Sequence, residues 1–272
     1  MHLSEQERVF RAVNGRYWII IGGGKSDFTA KVWEIRRFQQ VADELRQRGI
    51  GVVQCGSSDK GHWHPPIDGA LNLVGSTNLR DLAKLIYHAD GVICGVTLAM
   101  HMAAALQRPC VTVAGGREAW WWEAYVNEND GFGPKASGNL EMPHQFLHTI
   151  GQLDCCRYHG CWKNKVTSTS NDKSVCYYPI PKIGQTIPKC MDMIGAKHVV
   201  DAVMSYYKDN KLPPVGGSLS APPSTESAQK SAAPKWDIFA DVATTAETAP
   251  DIMPPTIELT GQLEGRPHGF KQ

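Results

Sequence analysis

This 272-residue chain predicts an α/β fold: a parallel sheet with helices on both faces. Three observations predict it. Short apolar runs alternate with stretches of helical periodicity. The runs are apolar almost without interruption, as strands covered on both faces must be. Turns rich in glycine and other small residues close them.

Residues 1–16 read as a lead-in helix or arm. The run Tyr17 to Ile21, "YWIII", is a buried strand entering a turn at Gly22, Gly23 and Gly24. From Trp33 to Arg48 the residues Ile35, Phe38, Val41, Ala42 and Leu45 share one helical stripe, and Gly49 ends the helix. "IGVVQC" is a second strand and "ALNLVG" a short third one. Thr77 or Asn78 caps the helix "LRDLAKLIYHA". "GVIC" is a fourth strand, "LAMHMAAAL" a compact helix and "PCVTVAGG" a fifth strand. The chain then turns irregular and aromatic-rich, with His144 and His148 spaced as one helical turn. A cysteine-rich segment follows, and "AKHVVDAVMSYYK" is a last amphipathic helix that returns to the sheet. Beyond it Pro, Ser, Ala, Gly and Thr dominate, the composition of a disordered tail. The short "WDIFADV" within that tail is either a docking segment or an apolar patch. The expected organisation is an arm (1–16), an α/β domain (17–149 with 196–209), a cysteine module (150–195) and a tail (210–272).

Composition narrows the function. Hydrophobic residues make up 42% of the chain, enough for a sizeable core, and the net charge is +1. That charge offers no field for nucleic acid or an anionic membrane. No apolar run approaches the ~20 residues of a membrane span. The N-terminus lacks the apolar core of a signal peptide. A cytoplasmic location is therefore expected, where clustered cysteines favour a metal over disulfides, with free packing thiols as the remaining reading. Cys155, Cys156, Cys161, Cys176 and Cys190 crowd one short window. Four thiolates from such loops suit a tetrahedral structural ion, zinc or iron.

Two further segments carry chemistry. In "GGGKSDFTAKVW" the glycine turn at Gly24 lets backbone N–H groups approach an anion, and Lys25 and Lys31 can neutralise phosphate. The spacing is neither GxGxxG nor a P-loop. In "AGGREAWWWEAY", Arg117 can fork onto phosphate or carboxylate, and Glu118 or Glu123 can accept from sugar hydroxyls. Trp120, Trp121 and Trp122 either stack on a ring or plug the space beside the cysteine module. Thr97 to His101 opens a helix straight after a strand, the carboxyl-end crevice where open α/β sheets bind ligands. His101 there either donates to a phosphate or merely packs. The two histidines of "GHWHPP" (His62 and His64) are too sparse for a metal site and mark a loop near the crevice.

The ordered segments "KVW", "LVGSTNLRDLAKLIYHAD" and "HMAAALQRPCVTVAGG" resemble the C-terminal half of family-nine glycosyltransferases, the ADP-heptose:lipopolysaccharide heptosyltransferases, over residues 15–125. The resemblance implies one Rossmann-like, donor-binding half of a two-domain GT-B enzyme. Its activity would be sugar transfer from a nucleotide diphosphate to an acceptor hydroxyl. The family's Asp-Ser/Thr-Gly-x-x-His at the helix entry is met here by Thr97 and His101, while Val96 and Leu98 depart from it. Cys156, Cys161, Cys176 and Cys190 resemble the cysteine-bound iron finger of bacterial autotransporter heptosyltransferases, with Cys155 as a substitute for Cys156. The implied donor site is Gly24, Lys25, Lys31, Thr97, His101, Arg117 and Glu118. The other GT-B domain, which brings acceptor and base, is expected from a partner chain or from a second copy in a homo-oligomer. Alternatively, the protein is a non-catalytic module that binds a nucleotide sugar or docks a protein.

Overall fold

The computed structural model describes residues 2–9, 11–123, 125, 144–167 and 173–207. The expected disordered tail, the "WDIFADV" segment within it, and the side chains of Trp121 and Glu123 lie outside the described residues.

A short helix α1 (Glu5–Val9) precedes strand β1 (Tyr17–Ile21), a two-residue strand β2 (Gly24–Lys25) and a 3₁₀ segment (Ser26–Lys31). Helix α2 (Ile35–Gln47), β3 (Gly51–Gln54), β4 (His62–Trp63), β5 (Leu71–Asn72) and α3 (Leu79–His88) follow. Next come β6 (Gly91–Cys94), α4 (Leu98–Ala105), β7 (Cys110–Gly115), α5 (Trp120–Glu123) and β8 (Gln145–His148). The described part ends with β9 (Pro179–Lys182), β10 (Gln185–Pro188), α6 (Lys189–Asp192) and α7 (Ala196–Met204).

Six strands form one sheet in the order β5-β3-β1-β6-β7-β8, with parallel pairing throughout. This is a doubly wound, Rossmann-like order, and its direction reverses between β1 and β6. Alternation along β1 assigns the two covering layers. Tyr17, Ile19 and Ile21 pack with Leu85 and Ile86 of α3 and Met100 and Ala103 of α4. Trp18 and Ile20 pack with Phe38, Val41 and Leu45 of α2 and Val199 and Val203 of α7. All five residues of β1 are buried. The choice between Thr77 and Asn78 falls to Asn78, whose side chain accepts from the Asp81 backbone N–H at 2.9 Å.

The structure corrects one element. His144 and His148 do not share a helical turn; Gln145–His148 is the edge strand β8, in parallel register with β7. Four residues of mixed polarity at a sheet edge carry too little periodicity to separate strand from helix.

The cysteine-rich segment is stitched to the end of β7. Cys161 and Trp162 donate backbone N–H groups to the carbonyls of Gly116 and Arg117 (3.1 and 3.0 Å). Ala30 donates to Asn164 O at 3.0 Å, and Val166 N donates to Thr29 Oγ1 at 2.9 Å. Cys190 and Met191 of α6 join the core layer under α2 and α7.

Candidate donor-binding cleft and cysteine module

A cleft of about 710 Å³ opens where the sheet order reverses, at the carboxyl ends of β1, β3 and β6. Its walls include Gly23, Gly24 and Lys25 after β1, Lys31 of the 3₁₀ segment, Ser57 to Asp59 after β3, and Gly95 to Ala99 around the start of α4. Open α/β sheets bind ligands at this position because successive loops there diverge to opposite faces.

Of the residues the sequence singled out, the cleft gathers Gly24, Lys25, Lys31 and Thr97. Thr97 is the N-cap of α4 in extended conformation, yet its side chain makes no capping hydrogen bond. Its Oγ1 is buried and has no partner among the described residues. Such an atom carries a desolvation cost that a ligand's hydrogen bond would remove. His62 Nδ1 and His64 Nδ1 are enclosed and unpartnered in the same way, and both residues line this cleft. The sequence places these histidines in a loop near the crevice and gives them no ligand role. The signal that finds them is joint: a buried Gln54 at the end of β3, and two prolines immediately after His64.

Arg117, Glu118 and His101 are placed elsewhere. Arg117 is buried, and its guanidinium is spent within the protein: Nε donates to Lys163 O (2.6 Å), Nη2 to Asn164 Oδ1 (2.8 Å) and Nη1 to Glu118. These partners turn it away from the cleft, whose lining residues do not include it. Glu118 Oε1 also receives Lys31 Nζ at 2.6 Å. Glu118 thus links the structural arginine to a lysine of the cleft wall. His101 shares a hydrogen bond with Tyr125 Oη at 2.8 Å and is not among the cleft's lining residues. Trp120 stacks on His148 (5.7 Å between ring centroids), and Trp122 meets Trp162 at a tilt of 55° (5.1 Å), contacts beside β8 and the cysteine module. His144 is buried, and burial pushes its imidazole down to about 4, so it is neutral at pH 7.

Cys155, Cys161, Cys176 and Cys190 line one small cavity of about 10 Å³, beside Arg117 and Lys163. Cys156 does not border it. It is buried beneath Gly116, where an added Cβ would lie 2.8 Å from its sulfur, and its thiol donates to Thr149 O at 3.5 Å. The soft donor set suits zinc or iron in kind. In position it falls short: among the described residues no three metal-ligating side chains are arranged to hold an ion. Burial and neighbouring thiols push Cys155 up to about 12, and burial pushes Cys190 up to about 11.

Comparison with known proteins identifies a family. The family model described as glycosyltransferase family 9 (heptosyltransferase) matches residues 2–141, half of the chain. Lipopolysaccharide heptosyltransferase 3 of Escherichia coli K12 is 32% identical over 107 residues, which are 35% of this chain and 30% of the relative. Two solved structures are similar at low identity. E. coli ADP-heptose LPS heptosyltransferase II is 15% identical with a TM-score of 0.43, over 75% of this chain and 52% of that one. TibC from enterotoxigenic E. coli, described as a bacterial iron-containing dodecameric glycosyltransferase, is 18% identical with a TM-score of 0.41, over 72% and 45%. The chain thus covers about half the length of these structures and under a third of the curated relative. No helix among the described residues is long and apolar enough to cross a membrane.

Proposed function

The chain belongs to glycosyltransferase family 9, the heptosyltransferases, and from that premise we propose that its cleft binds the nucleotide-diphosphate part of a sugar donor for transfer to an acceptor hydroxyl. The observation that carries this reading is the 710 Å³ cleft at the sheet's switch point, which combines Lys25 and Lys31 with the unpartnered Oγ1 of Thr97. Transfer leaves negative charge on the departing diphosphate. Ammonium groups and a helix N-terminus fixed in place stabilise that charge without reorganising as it forms. We assign diphosphate contact to Gly24, Lys25, Lys31 and Thr97. Glu118 and Arg117 position Lys31 and touch no ligand. The acceptor, and the base that activates it, are assigned to a second GT-B domain facing the cleft. Reaction in the cytoplasm is part of the proposal.

The cysteine module is proposed to hold a structural zinc or iron through Cys161, Cys176, Cys190 and one of Cys155 and Cys156, which would have to draw together from an arrangement in which no three are set to hold an ion; Cys155 is favoured by its place on the shared cavity. Binding the ion would deprotonate these thiols and staple the module to the end of β7.

The test is turnover of radiolabelled ADP- and UDP-sugars by purified protein, with and without lysate supplying a partner. Hydrolysis or transfer that disappears in Lys31→Ala supports the enzyme. Binding without turnover under every condition leaves only the binding module. Elemental analysis of protein purified without added metal tests the ion, and absence of both zinc and iron removes that proposal.

A further inference from the structure

We propose that His64 is a phosphate-contacting residue of the cleft, held by a slot between two glycines as the tautomer that carries its proton on Nε2 and donates it to the bound nucleotide. The assignment rests on the nucleotide reading above and adds to it a residue and a protonation state.

The slot is built by the absence of side chains. A Cβ on Gly56 would lie 2.6 Å from the His64 ring, and one on Gly23 would lie 2.5 Å from His64 Nδ1. No real Cβ approaches a ring so closely, so each glycine is needed for the imidazole to sit between the ends of β1 and β3.

The loop that carries His64 is fixed on both sides. Before it, β4 pairs with β2, His62 opposite Lys25 and Trp63 opposite Gly24. After it, buried Gln54 donates to Pro65 O at 2.7 Å and accepts from Ile67 N at 2.9 Å. Pro65 and Pro66 stiffen the exit. A side chain held this firmly presents one edge to a ligand at little entropic cost.

The enclosed nitrogen selects the tautomer. His64 Nδ1 is buried without a partner, while the residue lines the cleft. A stranded N–H is rarer in proteins than a stranded acceptor. The proton therefore belongs on Nε2, the nitrogen left to meet a ligand. Burial, and then the neighbouring His62 ring stacked at 6.3 Å, hold the group below the usual histidine range. The charged residues on the walls of the same cleft are Lys25, Lys31 and Asp59. His64 is thus a neutral donor in a cleft with both signs of charge on its walls, and it fixes where a phosphate oxygen sits without adding charge.

Two measurements on the full chain test this. Nitrogen-resolved NMR of the histidine rings at pH 7.5 is expected to show His64 protonated on Nε2; a signature of protonation on Nδ1 overturns the proposal. Calorimetric titration with ADP compares His64→Gln, whose amide N–H replaces Nε2–H, with His64→Asn, which mimics Nδ1–H, and with His64→Ala. The Gln variant is expected within threefold of wild type, and the Asn and Ala variants at least tenfold weaker. An Ala variant that binds within twofold of wild type overturns the proposal. The Gln–Asn pair guards against simple misfolding, since both are polar amides in one slot. If neither ADP nor UDP binds wild type, the nucleotide reading falls. Inorganic pyrophosphate then decides His64 separately: a tenfold loss in His64→Ala supports it, and equal or absent binding overturns it.

Discussion

Two stretches of the same sheet edge hold the same kinds of residue and use them in opposite ways. At the ends of β1, β3 and β6, Lys25 and Lys31 line open space, and Thr97, His62 and His64 each keep an enclosed polar atom without a partner. At the end of β7, Arg117 and Glu118 are buried and Arg117 is matched on each of its donor nitrogens. Unpartnered polar atoms that border open space suit the ligand contacts proposed above, whereas the partnered nitrogens of Arg117 make a joint. The joint still reaches the cleft, because Glu118 also holds Lys31.

Mutations can break this contrast. The largest stability effect is expected for Arg117→Ala. Removing the guanidinium leaves buried Glu118 with Lys31 alone and takes the hydrogen bonds to Lys163 O and Asn164 Oδ1 from the joint, at a cost of about 3 kcal/mol, so chemical denaturation should show a lower midpoint. Lys25→Ala, by contrast, should leave the midpoint unchanged within about 0.5 kcal/mol, as an exposed side chain does. Next comes Cys176→Ser. If the thiols hold an ion, the variant should lose it by elemental analysis and melt several degrees lower, whereas Cys156→Ser should keep it; identical metal content in both would remove the preference for the Cys155-bordered cavity.

A smaller effect is expected from pH. The folded pKa of His144 is depressed to about 4 by burial, below the ~6.5 of an unfolded chain. The stability it contributes is complete above 6.5 and is lost as pH falls towards 4. Thermal melts of wild type should drop across that window, and the His144→Gln variant should show a flatter profile. An equal drop in both would assign the acid sensitivity elsewhere.

Much of the fold was legible because its strands are long apolar runs between glycine turns and its helices carry clear stripes. Tyr17 to Ile21 and Ile35 to Gln47 needed no tertiary information. β8 was not legible, since its four residues owe their strand to β7 rather than to their own pattern. For the cleft, a position after a strand is enough to place Lys25, Lys31 and Thr97 on its wall. Arg117 follows β7 by the same rule and lines no cleft, because a place on the rim does not say which way a guanidinium turns. Its acceptors, Lys163 and Asn164, are distant in sequence and arrive only when the cysteine module docks. The loop of His64 is legible as one near the crevice, but its contact is not: its slot is made by Gly23 and Gly56, and no local spacing joins the three.

The most direct test of the cleft is calorimetric titration of ADP into wild type and Lys31→Ala at one salt concentration. The account predicts binding to wild type and at least a tenfold weaker Kd in the variant, about 1.4 kcal/mol or more. ADP bound equally by both proteins would contradict it.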